Sequence, residues 1–406
     1  MAGKHRRARD ILHILLLFYS LIHLSRAYTM DDEVRLHKAF NGSGYDRNVR
    51  PKPNRNTPLK IDCNFILQDI RELDENLGKF SITGALAASW IDERLIWKPQ
   101  DYGGVTYTVI PQKMLWIPYF INMHVYSEPK YHGHEELTVL VWYNGNVNWT
   151  IPNLYESTCD FDLTKYPFDS QTCMLTFFAM GSSPNDLFFN PLKKTADMSI
   201  YRENGLWQVT DTNMNTSTNI LDFHELRLTV SMKRRSAYYI SSLILPICVL
   251  EILQVLVFVM PHDSGERVGF AVTVMLAIAV YLTLIQEKLP EAAEPSVASL
   301  SYKLLGDFVI GAFIVVGVII GSHFNKEEKE NKNEKENENE KETEIPSSWK
   351  LFHRIMLSPT SRRNQKMGDA LTWSDIGMAI DRFCLILSFL SLVLCNSVYF
   401  IVVVIL

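Results

Sequence analysis

The sequence predicts two bodies in series: an all-β sandwich or barrel, then a bundle of four membrane-spanning helices. Three observations carry this. Short alternating segments separated by turn residues fill the first half. Four long apolar runs fill the second. A basic start, an apolar stretch and a small-residue site precede both. With 406 residues the chain is long enough for two domains, and its net charge of −5 offers no footing for nucleic acid. Six cysteines are too few to build a disulfide scaffold, so their positions matter more than their number.

In chain order, Lys4, His5, Arg6, Arg7 and Arg9 are the basic start, Ile11 to Leu24 is mostly apolar, and Ser25-Arg26-Ala27 is a small-x-small site. Residues 1–27 read as a signal peptide cut after Ala27; a first membrane anchor is the alternative, weakened by the short apolar run. Residues 28–234 then form an extracellular domain, where disulfides are allowed. A short helix is expected over Asp31–Phe40, and Gly42–Pro58 reads as loop. Strands are expected over Leu59–Leu73, Lys79–Trp90, Val105–Ile110, Leu137–Tyr143, Met174–Phe178, Trp207–Thr212 and His224–Met232. Asn41, Asn148 and Asn215 head glycosylation sequons.

Spans are expected at Tyr238–Met260, with Pro246 a kink point, and at Val268–Ile285, Leu304–Gly321 and Ile376–Leu406. Residues 235–324 thus hold three helices and 375–406 the fourth. Between them, 325–374 read as a cytoplasmic loop. It is disordered across the Lys/Glu/Asn tract Asn325–Glu344, then amphipathic through Trp349, Phe352, Ile355 and Met356. The second span covers about 18 residues, roughly 27 Å of helix. Gly269, Thr273, Leu276, Val280, Leu284 and Glu287 recur along it at steps of three or four and share one face, with Glu266 and Arg267 at its start. Such a face suits a pore with a dry constriction and charged mouths; a plain lipid-facing span is the other reading. Glu251 and Asp307 are acids inside spans, either functional or hydrogen-bonded or protonated between helices. Cys63 is expected inside the sandwich, and Cys248, Cys384 and Cys395 as small buried apolar residues.

Cys159 and Cys173, in an oxidising compartment, can close a loop of 15 residues, worth about 3 kcal/mol in the chain-entropy account. Here the chain resembles the Cys-loop receptors, the pentameric ligand-gated ion channels. The Cys spacing, the loop tip Tyr166-Pro167-Phe168-Asp169, Trp90-x-Asp92-x-Arg94-Leu95-x-Trp97, Trp116-x-Pro118 and the order of spans and links carry the likeness from about residue 30 onward. The resemblance implies an immunoglobulin-like sandwich, a Cys159–Cys173 disulfide, and assembly as a homopentamer or a heteropentamer with related subunits. It also implies a plasma-membrane location, a pore lined by the second span, and gating by an extracellular small molecule that is not identified. Ser264-Gly265-Glu266-Arg267 resembles the cation-selective branch, implying monovalent cations as the permeant species, with rings at Glu266 and Glu287 and a gate at Leu276. Asp74 and Glu75 match an acidic turn that faces a pre-membrane arginine, Arg234 or alternatively Arg235. That arginine, the loop tip and the Leu289–Ser301 link are implied to couple binding to the pore.

The family's aromatic cage for a quaternary ammonium is largely missing. Met180, Met123 and Ala85 stand at three of its positions, and Phe223, or its neighbour His224, keeps one aromatic. Met123, Met180 and Phe223 would suit a less polar ligand. No cofactor or metal is expected, membrane lipid is a partner, and no nucleophile elbow, metal-spaced His/Glu set or phosphate loop points to an enzyme. The competing readings are an obligate heteromeric partner without its own agonist site, and a membrane-anchored binding or adhesion protein.

Overall fold

The alternation of the first half folds into ten strands, seen in a computed structural model that describes residues 28–52, 57–128, 133, 136–183, 185–218, 223–261, 266–287, 297–335 and 373–405. The expected signal peptide, the amphipathic segment at 349–356 and most of the link after the second span lie outside these residues. The chain divides into two units. One runs through Asp160 and takes up again over Thr172–Met232; the other is Phe161–Gln171 with Lys233 onward.

The first unit opens with α1 (Met30–Gly42), whose first turn is closed by Asp32 accepting from the Thr29 amide at 3.0 Å and hydroxyl at 2.7 Å. Those bonds, the amide first, hold the Asp32 carboxyl down at about 2. The strands follow: β1 (Leu59–Asp74), β2 (Lys79–Ile96), β3 (Tyr107–Pro111), β4 (Phe120–Asn122), β5 (Thr138–Trp142), β6 (Asn144–Thr158), β7 (Ser170–Ala179), β8 (Leu187–Pro191), β9 (Trp207–Thr218) and β10 (His224–Arg234). They form a six-stranded sheet, β3-β5-β6-β2-β1-β8, and a four-stranded sheet, β4-β7-β10-β9. Alternation puts Ile61, Cys63, Phe65 and Leu67 of β1 wholly inside, with Ile82 and Leu86 of β2 and Phe177 of β7. Cys63 is buried as expected, and burial pushes its thiol up.

Three strands, β4, β6 and β8, are absent from the sequence reading. In β6 the backbone-competing residues Asn144, Asn146, Asn148 and Asn153, and Pro152, mask an alternation of Val147, Trp149 and Ile151, which are all buried. The strand forms because β2 and β5 flank it on both sides, tertiary pairing that overrides local preference. Gly145 makes its tight start possible: φ is +79°, and an added Cβ would lie 2.6 Å from the Asp92 carbonyl.

The Trp-x-Asp-x-Arg motif is a structural clasp. Asp92 is fully buried and accepts from Arg94 Nε and Nη2, both at 2.8 Å, and from the Tyr45 hydroxyl at 2.9 Å. Tyr45 in turn accepts from the Trp116 amide at 3.0 Å and lies under the Arg94 guanidinium, 4.3 Å from its centre. Burial raises the Tyr45 phenol above its ordinary range, so it stays a donor. Trp90 meets Trp116 and Trp149 edge-on beside this clasp.

Among the described residues of the second unit four helices are long and apolar enough to cross a membrane: α2 (Ala237–Val259), α3 (Arg267–Gln286), α4 (Ser299–Lys335) and α5 (Trp373–Phe400). The tract expected as disordered from Asn325 instead carries α4 on to Lys335. Lys and Glu are good helix formers, and their four-residue spacings favour helix once α4 has nucleated it. Cys248, Cys384 and Cys395 are partly rather than fully buried. An added Cβ would lie 2.9 Å from Cys384 Sγ at Gly317 and 3.2 Å from Cys395 Sγ at Gly306, so small residues let α4 and α5 approach closely.

Asp92→Ala is expected to destabilise the sandwich by about 2–3 kcal/mol, because a buried phenol and a guanidinium lose their acceptor. Thermal unfolding followed through tryptophan fluorescence should show a lower midpoint, with Asp92→Asn falling between the two.

Candidate functional site

The disulfide forms as expected, Cys159 to Cys173 with Cα atoms 5.4 Å apart. The residues it encloses, Phe161–Gln171, fold with the helices. Their tip is built around a charge. Asp169 Oδ1 accepts from Arg234 Nε at 2.7 Å and Oδ2 from Nη2 at 3.1 Å, a two-pronged pair with side chains 1% and 3% exposed. The Arg234 amide donates to the Asp169 carbonyl at 3.1 Å, so backbone as well as side chain is tied. Gln171 Nε2 adds a third donor to the carboxylate at 2.5 Å. The Arg234 guanidinium also faces the rings of Tyr166 and Tyr239, at 4.9 and 5.2 Å. The structure thus selects Arg234, the last residue of β10, over exposed Arg235 as the buried cation.

Around this pair the tip is anchored to the helices. Ser299, at the start of α4, donates its hydroxyl at 2.6 Å and its amide at 3.2 Å to the Thr164 carbonyl. Leu163 and Tyr166 pack into one apolar cluster with Leu243 and Ile247 of α2, Ile285 of α3, Leu300 and Leu304 of α4, and Tyr399 of α5. Phe168 packs at its border, Pro167 is buried, and the Tyr166–Pro167 bond is cis. Hydrogen bonds from the Thr164 hydroxyl and amide hold the Asp162 carboxyl below its usual range. Asp74, the last residue of β1, accepts from the amides of Asn76 and Leu77, both at 3.0 Å, and so shapes the turn that carries Glu75.

The α3 helix has two faces. Ala271, Val274, Ile278 and Ile285 are buried within the chain. Glu266, Gly269, Thr273, Leu276, Val280, Leu284 and Glu287 are exposed together, Leu276 at 62%, Val280 at 51% and Leu284 at 52%. Arg267 turns inward: its Nη1 donates to Asp381 of α5 at 2.7 Å and its Nε to the Val257 carbonyl at 3.2 Å. Pro246 leaves α2 without one amide donor, and the chain just before it opens into a π turn, Ile240–Ile244, where the sequence suggests a kink. Tyr281 of α3 directs its hydroxyl to the carbonyls of Ser242 and Leu243 there, at 3.0 and 2.9 Å.

Met123 and Met180 flank the β4–β7 pairing at different points along it. The Met123 amide bonds the Thr176 carbonyl and the Met180 amide the Tyr119 carbonyl, which sets the two methionines four residues apart along β4 and β7, about 13 Å. Phe223 lies against Phe178, ring centres 5.8 Å apart, and Met180 is half exposed. Of the sequon asparagines, Asn41 and Asn215 are exposed, and Asn148 is partly buried in β6. Among the described residues no group of three or more His, Cys, Asp or Glu could hold a metal ion. Glu251 and Asp307 both bond Lys303, whose detectable sequence signal is its place four residues before Asp307.

Two family models match the chain. Residues 33–236 match the neurotransmitter-gated ion-channel ligand binding domain, and residues 243–343 match the neurotransmitter-gated ion-channel transmembrane region. The chain belongs to the neurotransmitter-gated ion-channel family. Among its relatives is the neuronal acetylcholine receptor subunit non-alpha-2 of Carassius auratus, 27% identical over 76% of this chain and 67% of the relative. The beta-3 subunit of Gallus gallus is 27% identical over 68% of this chain and 60% of its own length, and the human alpha-2 subunit 26% identical over 68% and 52%. The alignments thus span roughly half to two thirds of these channel subunits' length.

Asp169→Ala strands a buried guanidinium and is expected to cost about 3–5 kcal/mol. Surface-labelled protein should fall sharply. Arg234→Lys keeps the charge but loses the two-pronged grip, and should fall less.

Proposed function

We propose that this chain is a subunit of a pentameric ligand-gated cation channel of the plasma membrane, its N-terminal domain outside. The α3 face carries the reading. One stripe of that helix holds an acid, a glycine, a hydroxyl, three apolar residues and an acid, all exposed, while the opposite stripe is packed. Set around an axis by five copies, Glu266 and Glu287 would form two negative rings that concentrate cations, and Leu276, Val280 and Leu284 a dewetting gate between them. Arg267 does not cancel the Glu266 ring, because its charge is spent on Asp381.

Coupling from the ligand domain would run through Asp74, Glu75, Arg234 and the tip Tyr166, Pro167, Phe168 and Asp169. The anchoring of that tip on all four helices supports the role. The thioethers of Met123 and Met180 and the ring of Phe223 support a ligand less polar than a quaternary ammonium, and the exposure of Met180 supports its being held partly by a neighbouring subunit. The same observation favours a second reading, an obligate partner that contributes one wall of a site it cannot complete alone.

Whole-cell current from the chain expressed alone, screened against transmitters, protons and small amphiphiles, separates the two. A current reversing near the cation equilibrium, with Glu266→Ala moving the reversal potential away from it, is the expected outcome. Silence from surface-labelled protein, relieved by co-expression of an acetylcholine receptor subunit, favours the partner reading. Silence with every subunit tried, alongside unchanged surface display, overturns the channel reading.

A further inference from the structure

Inside the second unit α2, α4 and α5 meet on charged groups. Lys303 Nζ donates to Glu251 Oε1 and, at 2.7 Å, to Asp307 Oδ2. Asn396 Nδ2 of α5 donates to Glu251 Oε2 at 2.9 Å, and Gln254 Nε2 of α2 reaches the Asp307 carbonyl at 3.5 Å. Exposure is 7% for Glu251, 5% for Lys303, 2% for Gln254 and 1% for Asp307. Two carboxylates share one ammonium here, so with both ionised the cluster carries a surplus negative charge in apolar surroundings, a costly arrangement.

Two oxygens at this crossing lack a donor among the described residues. Both Glu251 oxygens receive a donor. Asp307 Oδ1 and Gln254 Oε1 are buried acceptors with no donor among the described residues. Both sit at the same crossing of α2 and α4, as the contact of Gln254 with the Asp307 carbonyl shows. The other groups turned to this cluster are Cys248 of α2 and Cys395 of α5, the latter 3.9 Å from the Lys303 carbonyl. From α3, Met275 comes to the same Gly311 of α4 that Gln254 lies against, and it does not titrate.

We propose that this crossing is a proton-binding site within the membrane domain. The Asp307 carboxylate takes one proton from bulk water and forms an O–H bond at Oδ1. That removes the surplus charge, turns one orphan acceptor into a donor, and supplies the donor that Gln254 Oε1 lacks. Lys303 remains the cation shared with Glu251, and Asn396 ties α5 to the assembled site. Loss of the proton restores a buried negative charge at the point where three helices are joined. The site does not depend on the channel reading, and its test reads no current.

The test is infrared spectroscopy of the full chain in lipid nanodiscs at neutral pH, where a protonated carboxyl gives a carbonyl stretch separate from that of carboxylates. The expected result is a band that Asp307→Asn removes, Glu251→Gln retains, and Gln254→Leu shifts because the hydrogen bond is gone. No protonated-carboxyl band in the wild type, or one lost with Glu251→Gln and kept with Asp307→Asn, overturns the proposal. Should Asp307→Asn fail to fold, Gln254→Leu decides, an unshifted band being the overturning result.

Discussion

A guanidinium withdrawn from water sets the terms for the second unit. Arg234 cannot shed its proton, so wherever it is buried a carboxylate must follow it. Asp169 does so with both oxygens and its own carbonyl, and Gln171 supports it. The tip of the disulfide loop therefore has one place to stand, at the end of β10. Its apolar residues, Leu163 and Tyr166, are delivered to the helices by that constraint and not by their own hydrophobicity alone. Two tyrosine rings cover the guanidinium, so the charge is met by a carboxylate on its edge and by aromatic faces.

The same logic recurs deeper in the bundle. Arg267 is answered by Asp381 and Lys303 by Glu251, each across two helices, while Asp307 meets Lys303 from one turn further along α4. Within an apolar medium such groups persist only when paired, and each pairing between helices fixes a contact that van der Waals packing alone leaves free to slide. Turning Arg267 inward also leaves the exposed stripe of α3 with acids at its ends and apolar side chains between them, a division of labour within one helix.

Much of this is legible in the residue order. The four spans are set by apolar length, which any packing must respect, and the Cys159–Cys173 loop by oxidising surroundings and the motif it encloses. The acidic and apolar positions along α3 follow from helical period alone. What is not legible depends on contacts distant in sequence. β6 is a strand because β2 and β5 pair with it, against the preferences of its asparagines. Asp381 and Asn396 gain their roles from groups 114 and 145 residues away. The spacing of Met123 and Met180 is likewise invisible in the residue order, because it is set by the pairing of β4 with β7.

Pro246 deprives α2 of a donor in the π turn region, and the replacement comes from Tyr281 of the neighbouring helix. A helix whose ladder is completed by its partner is mechanically bound to it. Pulling α3 straight away from α2 would take the hydroxyl from both carbonyls and leave the one that Pro246 cannot serve bare in hydrocarbon. The contact therefore opposes separation of the two helices along the line that joins them.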